Sequence, residues 1–111
     1  MKADYKPPQE ILEKYASVLV DFALGGGKGI KKGDVVRIVA EEYSKSLFLE
    51  LRKAVWRSGG HVIASYHPSD TAEHSVTRDF FTHTKKHQLA FFPHHHMKGL
   101  IKQIDHSIFI D

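Results

Sequence analysis

Val35-Val36-Arg37-Ile38-Val39-Ala40, a helix-periodic run from Tyr43 to Ser58, and His61-Val62-Ile63-Ala64-Ser65-Tyr66 decide the fold. The first segment follows a Gly33-Asp34 turn signal and is β-branched and mostly apolar, the pattern of a central strand buried on both faces. In the second, Leu47, Leu51, Ala54 and Val55 share one helix face with Phe48 and Trp56 beside it, and Gly59-Gly60 stops it. The third is again strand-like. Strand, helix and strand in this order form a βαβ unit, which requires parallel strands and a right-handed crossover.

Upstream, Ile11, Leu12, Tyr15, Leu19 and Phe22 recur at steps of three and four, predicting an amphipathic helix from Pro8 to Leu24 with these residues on its buried face. Gly25-Gly26-Gly27-Lys28-Gly29 ends that helix in a loop. Downstream, Ser69 to Phe92 opens on the cap candidates Ser69-Asp70-Thr71, carries Val76, Phe80 and Phe81 on a helical face, and breaks at Pro93. Met97, Leu100, Ile101 and Ile104 predict a short helix over His94 to Gln103, and Ser107-Ile108-Phe109-Ile110 a third strand. The expected fold class is α/β, three-layer and Rossmann-like: a small parallel sheet in order 2-1-3 with helices on both faces, in one domain over residues 1–111. The third strand runs into Asp111 without the helix that would cover the next face of a doubly wound sheet.

Composition narrows the chemistry. The chain has 111 residues, 41% of them hydrophobic and 26% charged, as a globular domain should. Without cysteine there is no disulfide framework, thiolate zinc site, iron–sulfur cluster or cysteine nucleophile. A net charge of +3, with acidic residues among the basic ones and aromatics at core spacing, does not predict nucleic-acid binding. Met1 to Pro8 has no apolar leader, and no run is long enough to span a membrane, so the expected location is the cytoplasm. Nine histidines are the oddity and predict pH-dependent solubility.

Several motifs invite a chemical reading. Gly25 to Gly29 with Lys28 lacks the spacing of a phosphate loop: Gly29 stands where Ser or Thr should follow the lysine, and the helix precedes the loop instead of following it. His83 and His87 have the i, i+4 spacing of two metal ligands on one helix, but Lys85 and Lys86 stand between them where a glutamate base would be needed, so a solvated face explains them better. His94, His95 and His96 form a dense ligand run whose side chains diverge by about 100° per helical residue, giving adventitious nickel or zinc affinity and a surface helix start with one histidine packed on the sheet. Glu41 and Glu42 past strand one, and His67 past strand two with Ser69 and Asp70 nearby, lie at the edge where open α/β sheets bind ligands. No Gly-x-Ser-x-Gly elbow marks a serine hydrolase.

Ile11-Leu12-Glu13-Lys14-Tyr15-Ala16 with Leu19-Val20, then Ile30-Lys31-Lys32-Gly33-Asp34-Val35-Val36, resembles the opening of the thermophilic-type metallo-aminopeptidases. Leu51 to Val62, Gln88-Leu89-Ala90-Phe91-Phe92-Pro93 and Ile104-Asp105-His106-Ser107-Ile108-Phe109-Ile110 match later landmarks in the same order. These pieces are structural, and the His94-His95-His96 triplet departs from the family's pattern. The resemblance implies the N-terminal domain of an enzyme that removes N-terminal residues from peptides. Two divalent metals, zinc or cobalt, would be held by a C-terminal catalytic domain, and no catalytic, cofactor-binding or metal residue would lie within this chain. It further implies the catalytic domain of the same polypeptide as partner, a homodimer, and a role in walling the substrate cleft. The alternative is a free-standing binding or assembly module of the same fold.

Overall fold

A computed structural model describes residues 7–110; the sequence-based readings that fall on Met1 to Lys6 and on Asp111 lie outside the described residues. Three strands, β1 (Val35–Glu41), β2 (His61–His67) and β3 (His106–Ile110), form an all-parallel sheet in the order β2-β1-β3. Val36 faces Val62 on one side and His106 on the other, and Ile38 faces Ala64 and Ile108. The βαβ reading therefore holds, with β1 central.

The core lies on one face of this sheet. Val36, Ile38 and Ala40 are fully buried beneath α1 (Gln9–Val18) and α2 (Lys45–Arg57), which contributes Phe48, Leu51, Ala54 and Val55. Alternation along β1 leaves Val35, Arg37, Val39 and Glu41 half-buried on the second face, so the expected double burial is corrected to single burial. The Arg37 guanidinium lies 5.4 Å from the Phe109 ring on that second face.

The first helix departs from expectation in two ways. Leu12, Ala16 and Val20 are its buried residues, while Ile11, Tyr15 and Phe22 are 56%, 53% and 63% exposed. The chain has two neighbouring apolar stripes, and the small Ala16 lets the second approach α2. Regular α-geometry also stops at Val18, and a π-helical turn spans Leu19–Ala23. The Leu24 N–H reaches back to the Leu19 carbonyl, which frees the Val20 carbonyl for Ile30 N–H at 3.1 Å.

The β2-to-β3 crossover carries α3 (Val76–His83), a single turn α4 (Lys86–Leu89) and α5 (His94–Gln103). The expected cap at Ser69-Asp70-Thr71 is displaced to Ser75, whose hydroxyl accepts Arg78 N–H at 3.1 Å, while Asp70 accepts Val76 N–H at 2.8 Å. Val76, Phe80 and Phe81 are exposed. Between His61 and Ser107 the only buried residue is Ser69. The molecule is a slab of 45 × 37 × 18 Å with a radius of gyration of 16.6 Å. A compact domain of this length has about 13 Å.

Candidate functional site

The carboxyl ends of the strands frame a cleft of about 680 Å³, lined chiefly by Val39, Glu41, His67, Ser69, Asp70 and Phe109. Its position follows from topology. The connection from β1 leads toward β2 while β3 lies on the other side, so the chain diverges around the end of β1 and leaves a crevice there. Glu41 and His67 are the last residues of their strands, not loop residues beyond them, and are paired in the parallel register. Both expected ligand-facing residues thus reach one cleft.

Glu42 does not. It starts the 3-10 turn Glu42–Ser44, and its carboxylate accepts Ser69 N–H at 3.2 Å. With the Glu42 carbonyl receiving Tyr66 O–H and the Asp70 carbonyl receiving Tyr43 O–H, each at 3.4 Å, it straps segment 66–70 onto the end of β1. That strap buries Ser69 to 7% exposure and leaves its Oγ without a hydrogen-bond partner. Sequence reasoning missed Val39, Tyr43, Val76 and Phe109 as cleft residues. The order 2-1-3 already placed the ends of β1 and β3 side by side and was the signal that could have found Val39 and Phe109.

The other candidate motifs are not brought together. His83 ends α3 and His87 lies in α4, with Thr84 and Lys85 extended between them, so they do not share one helix face. Thr84 Oγ1 donates to the Phe80 carbonyl at 2.6 Å, closing α3 at that point. His94, His95 and His96 open α5 and are all exposed, so no histidine of the triplet packs on the sheet. Among the described residues no three His, Cys, Asp or Glu side chains are placed to hold a metal ion.

At the opposite end of the sheet, the glycine loop borders a second hollow with Lys28, Lys31, Asp34, Asp105 and His106. Four backbone donors of this loop are engaged: Lys28 N–H with Gly25 O, Gly29 N–H with Leu24 O, Ile30 N–H with Val20 O, and Lys31 N–H with Asp34 Oδ2. A phosphate would find no free cradle among them. Here Asp34 binds His106 Nε2 at 2.8 Å. The Lys31 N–H first, and then His106, hold the Asp34 carboxyl below its ordinary value. Asp105 brackets the start of β1, accepting Val35 N–H through Oδ2 and donating its own N–H to the Val35 carbonyl, both at 2.8 Å.

A further ionised cluster joins α1 to α2. Glu50, 4% exposed, receives Lys53 Nζ at 2.6 Å and Gln9 Nε2 at 2.7 Å. Lys53 foremost, with Gln9 assisting against the cost of burial, lowers the Glu50 carboxyl from its ordinary value. This cluster fastens α1 to α2.

Among the described residues no helix is long and apolar enough to cross a membrane. No protein-family model matches the chain, and no curated protein matches it.

Proposed function

We propose that the chain is the N-terminal, non-catalytic domain of a metal-dependent aminopeptidase that hydrolyses N-terminal residues from peptides. In this reading it walls one side of the substrate cleft, packs against the catalytic domain of the same polypeptide, and works within a cytoplasmic homodimer. The two divalent metals, zinc or cobalt, belong to the catalytic domain. The observation that carries the reading is the one-sided core. Phe80, Phe81, Phe91, Phe92, Ile101 and Phe109 are each 49% or more exposed, on the half of the chain that buries no apolar side chain of its own before Ile108. Six large exposed apolar side chains on one half of the chain support a partner body that covers them. The colinear resemblance supplies the identity of that body.

The test is hydrolysis of leucine p-nitroanilide by the polypeptide that the native gene encodes, before and after chelation and on return of zinc or cobalt. Metal-dependent release by that polypeptide, with none from residues 1–111 alone, is the expected result. Release by the 111-residue chain would overturn the non-catalytic assignment. A native frame that stops directly after the codon for Asp111 would favour the free-standing binding or assembly module, which the same exposed face also suits.

A further inference from the structure

β2 is an outer strand, paired only with β1 among the described residues. Its middle, Val62-Ile63-Ala64-Ser65-Tyr66, has no charged side chain and no proline, and its register with β1 is unbroken by a bulge. These are the devices that normally blunt an exposed edge. The helix layer does not close over it either. Val62, Ala64 and Tyr66 share the sheet face of the buried Val36, Ile38 and Ala40, yet Ala64 and Tyr66 are exposed.

The chain around this edge is cationic. Between Tyr43 and Ser69 it carries Lys45, Arg52, Lys53 and Arg57 but a single acidic residue, Glu50, which is buried and held by Lys53. That excess equals the net charge of +3 of the whole chain. A ladder of contacts links the strand to the helix. The Tyr66 ring lies 5.4 Å from that of Phe48, and the Arg52 guanidinium stands 5.5 Å from the Phe48 ring and 5.0 Å from that of Trp56. The rings fix where the guanidinium sits, and no carboxylate pairs with it among the described residues.

We infer that β2 takes an extended acidic segment of a partner protein as a fourth strand, with a carboxylate of that segment on Arg52. The outer backbone groups of β2 supply main-chain hydrogen bonds, and the cationic face of α2 selects acidic side chains. Alternate side chains of an added strand point to one face of the sheet, so acidic residues at every second position share the side on which α2 and Arg52 lie. A second copy is disfavoured as the occupant, because pairing β2 with its own copy sets two cationic segments against each other. Nucleic acid has no peptide backbone with which to extend a sheet. The inference is independent of the aminopeptidase reading: it concerns the open side of the sheet, and it holds or fails whether or not the native polypeptide is a peptidase.

The experiment is a fluorescence titration through Trp56, the one tryptophan of the chain, with N-acetylated, C-amidated peptides of sequence TEVEVET, TQVQVQT and TEPEPET. TEVEVET is expected to bind and to slow amide hydrogen exchange at residues 62–66. Exchange of its glutamates for glutamine should weaken binding at least about tenfold, a difference of about 1.4 kcal/mol. The proline peptide keeps the charges but cannot join a ladder, and should bind at least as weakly as the glutamine one. Arg52→Leu should erase the preference for glutamate over glutamine, and the peptide series on the unaltered protein tests the same chemistry without any variant. Equal affinity for TEVEVET and either control, no response to millimolar TEVEVET, slowed exchange confined to another surface, or tighter binding of oligothymidylate than of TEVEVET would overturn the inference.

Discussion

Gly29→Ala is the substitution whose cost the structure fixes most directly. Gly29 has φ +79°, and a Cβ there would stand 2.1 Å from the Asp21 carbonyl oxygen and 2.5 Å from its carbon. Both are backbone atoms within the π-helical turn, so no side chain can rotate aside. The left-handed conformation alone costs a non-glycine residue about 1–2 kcal/mol. Relieving the overlap means moving the loop off the helix end, which loosens Gly29 N–H to Leu24 O at 2.8 Å and Ile30 N–H to Val20 O at 3.1 Å. Each such bond is worth about 1 kcal/mol net. The expected loss is therefore about 3–4 kcal/mol, which at about 4–8 °C per kcal/mol lowers Tm by well over ~10 °C. Gly26→Ala is the internal control, because Gly26 has φ +69° but nothing within 4 Å of an added Cβ. Urea unfolding of the two variants, followed by circular dichroism, separates dihedral cost from collision. A Gly29→Ala loss within about 0.5 kcal/mol of the Gly26→Ala loss, the scatter of ordinary surface substitutions, would refute the close-approach argument.

Other perturbations have equally definite outcomes. Asp34 has a lowered folded-state value, so its contribution is present above the unfolded carboxyl value of about 3.9 and is lost as pH falls through the lower folded value. The stability gap between the protein and Asp34→Asn should hold at neutral pH and close below about pH 4; urea midpoints across pH measure it, and a gap that widens in acid would contradict the sign. Glu50→Gln keeps the shape of the α1–α2 junction but gives up charge-assisted bonds to Lys53 and Gln9, with about half of the Lys53 side chain exposed. A loss of about 1 kcal/mol in chemical denaturation is expected. Replacing His94, His95 and His96 together by alanine should abolish retention on a nickel resin while changing stability by no more than about 0.5 kcal/mol, because all three are exposed.

The parts of the fold that were legible in the sequence are those governed by local pattern. Val35 to Tyr66 reads as a βαβ unit because β-branched runs and the Gly59-Gly60 stop leave no competing period, and the order 2-1-3 follows from placing the most apolar strand, β1, at the centre. The buried face of α1 was misread because Ile11, Tyr15, Val18 and Phe22 form an apolar stripe as regular as the one that packs, and only the tertiary approach at Ala16 chooses between them. The cap of α3 slipped from Ser69-Asp70-Thr71 to Ser75 because both are good caps, and the first is claimed by Glu42 and by the bond between Thr71 Oγ1 and His74 N–H at 3.0 Å. The placement of Glu41 and His67 at the strand ends was legible because strand ends are predictable. The burial of Ser69 and the Asp34–His106 pair were not legible, because they depend on partners 27 and 72 residues away.

The distribution of burial also says how the two halves differ in kind. Every buried apolar side chain except Ile108 comes from α1, the π-helical turn, β1 or α2, so the first half of the chain carries the cooperative unit. The crossover adds hydrogen bonds, turns and half-buried side chains such as Met97, Leu100 and Ile104 to that unit, but no fully buried apolar side chain. Its aromatics Phe80 and Phe81 pack edge to face on each other at 5.2 Å and otherwise leave about half or more of their surface exposed. The cleft sits on the seam: Glu41 and Val39 belong to the rigid half, while Val76 and Phe109 belong to the crossover and to β3's second face. Whatever body covers the crossover therefore also borders the cleft.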